Sequence, residues 1–90
     1  MKISITNLNR SASVQSLREL FLRFGDVRSS SLVLDRSTGR SRGVGHIEMR
    51  DAACGERAIL ALNNTSFLSQ SITVREVAGE AMASSFRTHL

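Results

Sequence analysis

The sequence predicts an α+β two-layer sandwich, a four-stranded antiparallel sheet with two helices on one face. Three observations carry this expectation. Apolar and polar residues alternate over residues 2–7, 42–49 and 71–75, which is the period of a half-buried strand. Between these stretches, apolar residues recur at three- and four-residue spacing from Val14 and again from Gly55, the period of an amphipathic helix. The resulting order is strand, helix, two strands, helix, strand, which is a split β-α-β arrangement.

Each element has a local reason. From Lys2 to Asn7, Ile3 and Ile5 share one face while Ser4 and Thr6 share the other. Asn7-Leu8-Asn9 ends the strand, because asparagine side chains bond nearby backbone and favour turns. Ser13 is a suitable N-cap for the first helix, whose inward stripe reads Val14, Leu17, Leu20, Phe21 and Phe24. Gly25 stands where a left-handed C-terminal cap is expected. Phe21 and Phe24 continue the stripe and are therefore read as core. The second strand is expected over Val27 to Asp35, with Leu32 inward and Ser31 and Val33 outward. Its three consecutive serines are poor strand formers, so that end is expected to fray. Asp35 to Arg40 makes a polar turn into the third strand, which places Val44, His46 and Glu48 on one face and Gly45, Ile47 and Met49 on the other. Asp51 can cap the second helix, with Gly55, Ala58, Ile59 and Leu62 facing inward. Gly55 lowers helix propensity by about 1 kcal/mol relative to alanine, which suggests close packing on the sheet. Asn63-Asn64 ends this helix, and Phe67 is expected to plug the edge of the core. The last strand, Ser71 to Arg75, turns Ile72 and Val74 inward and Thr73 and Arg75 outward. This is the ferredoxin-like plan. It leaves one sheet face bare, and function is expected there.

Ninety residues suffice for one domain with a modest core, and 41% hydrophobic residues argue against disorder throughout. The domain is expected over residues 1–78, with residues 79–90 as a tail. No apolar run approaches the ~20 residues of a membrane span, and with no apolar block and cleavage site before Lys2-Ile3-Ser4-Ile5 a signal peptide is not expected. Cys54, the single cysteine, has no bridging partner and no neighbour at metal-ligand spacing, so a reducing, cytoplasmic setting is expected, without metal or cofactor. Twelve basic residues against eight acidic ones give a net charge of +4, and eleven of the twelve are arginine. Such a balance tilts toward a phosphate-bearing partner. Arg36, Arg40 and Arg42 cluster around the Gly39 turn.

The stretch Arg42-Gly43-Val44-Gly45-His46-Ile47-Glu48-Met49 resembles the octapeptide of the RNA recognition motif at its basic residue, both glycines and the aliphatic sixth position. Ile3-Ser4-Ile5-Thr6-Asn7-Leu8 resembles the family's first-strand hexapeptide. Asp35 to Gly43 closely resembles its loop into the third strand, and Ala58 to Asn63 is similar to the end of its second helix, with Asn64 where glycine is common. In order and spacing the likeness runs from Lys2 to about Val77, in the style of short single-domain bacterial versions.

The resemblance implies single-stranded RNA as the partner. In the family, aromatic rings at the places of Ser4 and Val44 stack on bases, and a third at the place of His46 packs against sugars. Here Val44, His46 and Met49 occupy all three aromatic positions of the octapeptide, and Ser4 that of the hexapeptide. Stacking contributes roughly 1–3 kcal/mol per base, so two lost stacks would weaken binding tenfold to several thousandfold. His46 alone keeps a flat π-face, and when protonated it could also meet a phosphate. What remains is electrostatic. Arg36, Arg40, Arg42 and Arg75 flank the bare face, Lys2 lies nearby, and Thr6 and Asn7 offer hydrogen bonds at its edge. Weak, salt-sensitive binding with little sequence preference is expected.

The rival expectation is a protein-interaction module, in which Val33 and Val44 on the sheet pair with another protein or a second copy. In the tail, Met82, Phe86 and Leu90 recur at i, i+4 and i+8. That segment is read as a short helix covering the sheet, a helix docking on a partner, or a disordered end. Enzymatic function is not expected. There are no paired carboxylates, no nucleophile with a base and no phosphate-cradling loop, and His46 and His89 stand far apart.

Overall fold

A computed structural model describes residues 1–77 and places, in order, β1 (Lys2–Thr6), α1 (Val14–Leu22), β2 (Val27–Leu34), β3 (Ser41–Met49), α2 (Ala52–Leu62), β4 (Ser66–Phe67), β5 (Gln70–Ser71) and β6 (Thr73–Val77). The main sheet runs β2-β3-β1-β6 with every pair antiparallel, and β4 and β5 form a small ribbon of their own. The expected two-layer plan is therefore present. Strand alternation decides which face is covered. Ile3, Ile5, Ile47, Met49 and Val74 point to the helices with Ile72, and Leu17 and Phe21 meet them from α1, each below 2% exposed. Burial of these side chains is the main stabilising term.

Helix α1 begins as its sequence requires. Ser13 is extended, and its hydroxyl accepts the Ser16 N–H at 3.0 Å, while the Ser16 hydroxyl accepts the Ser13 N–H at 3.0 Å. This is a reciprocal capping box with serine in the place usually held by glutamate or glutamine. Ser13→Ala is expected to lower stability by about 1 kcal/mol, a fall in Tm of roughly 4–8 °C by thermal unfolding.

Several local expectations are corrected. Val14, the first helical residue, is 39% exposed and does not join the buried stripe of Leu17, Leu20 and Phe21. Gly25 is not the left-handed cap; the helix closes at Arg23, and Gly25 lies two residues further on. Glycine is needed there because a Cβ would stand 2.7 Å from Cys54 Sγ. Gly55 is buried against the Met1 side chain rather than on the strands. The sheet's true close approach is at Gly45, where a Cβ would lie 2.5 Å from Leu17 Cδ2. The serines of β2 do not fray: Ser29, Ser30 and Ser31 pair with Glu48, Ile47 and His46, and a bulge at Arg28 absorbs the irregularity.

At the other end, Asp51 Oδ1 accepts the Ala53 N–H at 2.8 Å to cap α2, and Asn64 takes the left-handed conformation, φ 62°, that glycine would favour. Asn63 Oδ1 accepts the Val74 N–H at 2.9 Å, which covers a donor on the edge strand β6. Phe67 packs against the core margin as expected. The last strand pairs from Thr73 and not from Ser71, which belongs to the ribbon. No helix among the described residues is long and apolar enough to cross a membrane. The tail helix read from Met82, Phe86 and Leu90 lies outside the described residues.

Candidate nucleic-acid interface

The face opposite the helices is built in three cross-strand rows. Ser29, Glu48, Lys2 and Val77 make the first; Ser31, His46, Ser4 and Arg75 make the second. Val44, Thr6 and Thr73 make the third. Directly paired positions of this kind stand about 4.5–5.5 Å apart at Cβ, so each row presents its side chains as neighbours. His46 is thus flanked by Ser31 and Ser4, with Arg75 one strand beyond Ser4 on the outer edge. A shallow cleft of about 250 Å³ is lined by Lys2, Ser29, Ser31, His46 and Glu48.

The loop between β2 and β3 is braced from within. Asp35 Oδ1 accepts the N–H groups of Ser37 at 2.8 Å and Thr38 at 3.2 Å, and Asp35 and Arg40 close the turn backbone to backbone at 2.7 Å. Gly39 allows the reversal with φ +74°. Arg36 and Arg40 are both exposed on this turn. Exposed Arg42 stands at the start of β3, beside Gly43, whose carbonyl accepts the Leu8 N–H at 2.9 Å.

Most of the residues expected from sequence therefore meet on one surface. Lys2, Ser4, Thr6, Val44, His46 and Arg75 share the open face, with Arg36, Arg40 and Arg42 at the end of β2 and β3. Arg75 is not part of that arginine group; it lies across the sheet on β6. Val33 falls at a register break between Leu32 and Leu34 and is half-buried. Asn7 donates one side-chain N–H to the Ser71 carbonyl at 2.7 Å, which ties its amide to the ribbon and leaves Oδ1 and the second N–H for a ligand. Two residues were missed. Glu48 puts a carboxylate beside Lys2 on the open face, a placement that strand alternation already implied. Arg10, in the β1–α1 loop, lines the same clefts as Arg42, which only the folded topology reveals.

Among the described residues, the face carries no phenyl, phenol or indole ring. The sequence has four phenylalanines and no tyrosine or tryptophan. Phe21, Phe24 and Phe67 pack in or against the core, and Phe86 lies outside the described residues. Among the described residues, no three His, Cys, Asp or Glu side chains group as metal ligands do.

Among the described residues, the antiparallel sheet is backed by helices on one side and uncovered on the other, the form of an open-faced α+β binding module. The chain belongs to the RNA recognition motif family, whose profile matches residues 3–73. It is 34% identical over 76 residues to RbpE of Nostoc sp., whose name proposes RNA binding, covering 84% of this chain and 77% of that protein. It is 38% identical over 72 residues to the polyadenylate-binding protein of Chaetomium globosum, covering 80% of this chain but only 9% of that much longer protein. Among solved structures, the RNA binding protein PG1 superposes with a TM-score of 0.84 at 38% identity, over 86% of this chain and 93% of that one. The Sxl-lethal protein in a protein/RNA complex gives 0.81 at 31% identity, over 84% of this chain and 47% of that one.

Proposed function

We propose that residues 1–78 form a binding domain, and not an enzyme, that takes single-stranded RNA on the open sheet face and the arginine-bearing β2–β3 loop. Binding is weak, mainly electrostatic and low in sequence preference. Membership of the family and the RNA-bound relative support the ligand class. The observation that carries the manner of binding is a face whose one ring among the described residues is the His46 imidazole, fringed by Arg36, Arg40, Arg42 and Arg75. Guanidinium groups meet phosphate whatever base it bears, so charge holds the strand without reading it.

Titration with random-sequence single-stranded RNA at several salt concentrations tests this. If the four arginines each neutralise one phosphate, log K falls against log salt with a slope of about −2.8, or about fiftyfold between 50 and 200 mM. His46→Ala is expected to weaken binding only modestly, by less than about tenfold, the low end of one stacking contact. A flat salt response with salt-indifferent self-association would instead favour the face as a protein-docking surface. A large loss at His46 would show that stacking outweighs charge.

A further inference from the structure

We propose that Arg10, together with Arg42, forms a phosphate seat beyond the end of the sheet, where an RNA strand leaves the open face. This rests on the RNA-binding reading above and extends it to a residue outside the sheet and outside the β2–β3 loop.

Two clefts meet at this pair. The first, about 640 Å³, is lined by Thr6, Asn7, Arg10, Arg42, Val44 and Gln70. It opens from the third cross-strand row, since Thr6 and Val44 are that row's paired residues. The second, about 460 Å³, is lined by Arg10, Asp35, Thr38, Arg40, Ser41 and Arg42. Arg10 and Arg42 line both clefts and Arg40 lines the second, so a strand passing beyond Thr6 and Val44 meets these arginines in turn. Among the described residues, the one carboxylate lining either cleft is Asp35, and one of its oxygens already accepts two backbone N–H groups. The field at this end is therefore positive, and a phosphodiester is the group that matches it.

The loop bearing Arg10 is fixed before any ligand arrives. Asn9 Oδ1 accepts the Ser11 N–H at 2.9 Å and the Ser11 hydroxyl at 2.7 Å, and the Asn9 carbonyl accepts the Ala12 N–H at 2.9 Å. Asn9 Nδ2 donates to the Leu68 carbonyl at 3.0 Å, tying the loop to the β4–β5 ribbon. A backbone held in this way loses little further freedom on binding, so the charge it carries is spent on the ligand.

The test compares Arg10→Ala with Arg18→Ala, an exposed residue on α1 in the helical layer that removes the same charge. Both are titrated with random-sequence single-stranded RNA across a salt series. Arg10→Ala is expected to lower the salt slope by up to about 0.7, one phosphate's worth, since Arg42 still faces the shared phosphate, while Arg18→Ala leaves it unchanged. An unchanged slope in Arg10→Ala, or an equal fall in both variants, overturns the seat while leaving the wider reading intact. Absence of RNA binding by the unaltered protein removes both.

Discussion

Restoring rings to the open face, with Ser4→Tyr and Val44→Phe in one molecule, is expected to tighten single-stranded RNA binding by about thirtyfold to a thousandfold. Each aromatic platform contributes roughly 1–3 kcal/mol per stacked base, and the range allows for incomplete additivity. Both positions are half-buried on the side away from the helices, with Ser4 beside His46 and Val44 beside Thr6. The added rings therefore extend over the sheet without entering the core. Because they carry no charge, the salt slope of the double variant should match that of the parent. Fluorescence titration across a salt series reads both quantities at once. No gain in affinity would mean that bases do not lie on this surface; a changed slope would mean that the rings had moved the strand's path over the arginines.

Removing the largest buried side chain tests the other layer. Phe21→Ala is expected to cost about 3–5 kcal/mol, measured as a fall in the urea midpoint. Phe21 is fully buried at the centre of the α1 stripe, against strands whose inward residues are closed to solvent as well. Since domains of this size hold only about 5–10 kcal/mol in all, much of the population would unfold at moderate temperature. Leu22, its neighbour in sequence, is 41% exposed, and Leu22→Ala should stay within about 0.5 kcal/mol of the parent. A loss below 1 kcal/mol at Phe21 would contradict the packing described here.

The elements with a clean period were legible from sequence, and the contrast with the rest is physical. The alternation in β1 and β3 told inward from outward residues because a single register satisfies both faces. Ser13 and Asp51 marked both helix starts through side-chain oxygens that satisfy free N–H groups. The β4–β5 ribbon was missed because two-residue strands have no period to read. Its turn also hides its geometry: Leu68 and Ser69 both take positive φ, 51° and 68°, where Asn-Gly would have announced the hairpin. That strain is offset by partners distant in the chain, Asn9 on the Leu68 carbonyl and the Asn7–Gln70–Ser71 bonds. Of the candidate interface, the face residues followed from alternation and the Arg36–Arg42 group from its spacing. Arg10 could not be found that way, because the loops that bring it beside Arg42 are adjacent only after β1 pairs with β3.

Those same distant bonds govern how the chain is completed. Asn7 and Asn9 reach residues 68, 70 and 71 across separations of 59 to 64 positions. Strand β1 is translated first yet sits inside the sheet between β3 and β6. On a ribosome its β3 flank can pair once β3 has emerged, whereas its β6 flank stays open until the end of the domain follows. The β1–β6 edge is therefore the last part of the sheet to close, together with the ribbon bonds. A nascent chain halted before the ribbon would leave the β6 side of β1 as an unpaired edge open to its neighbours.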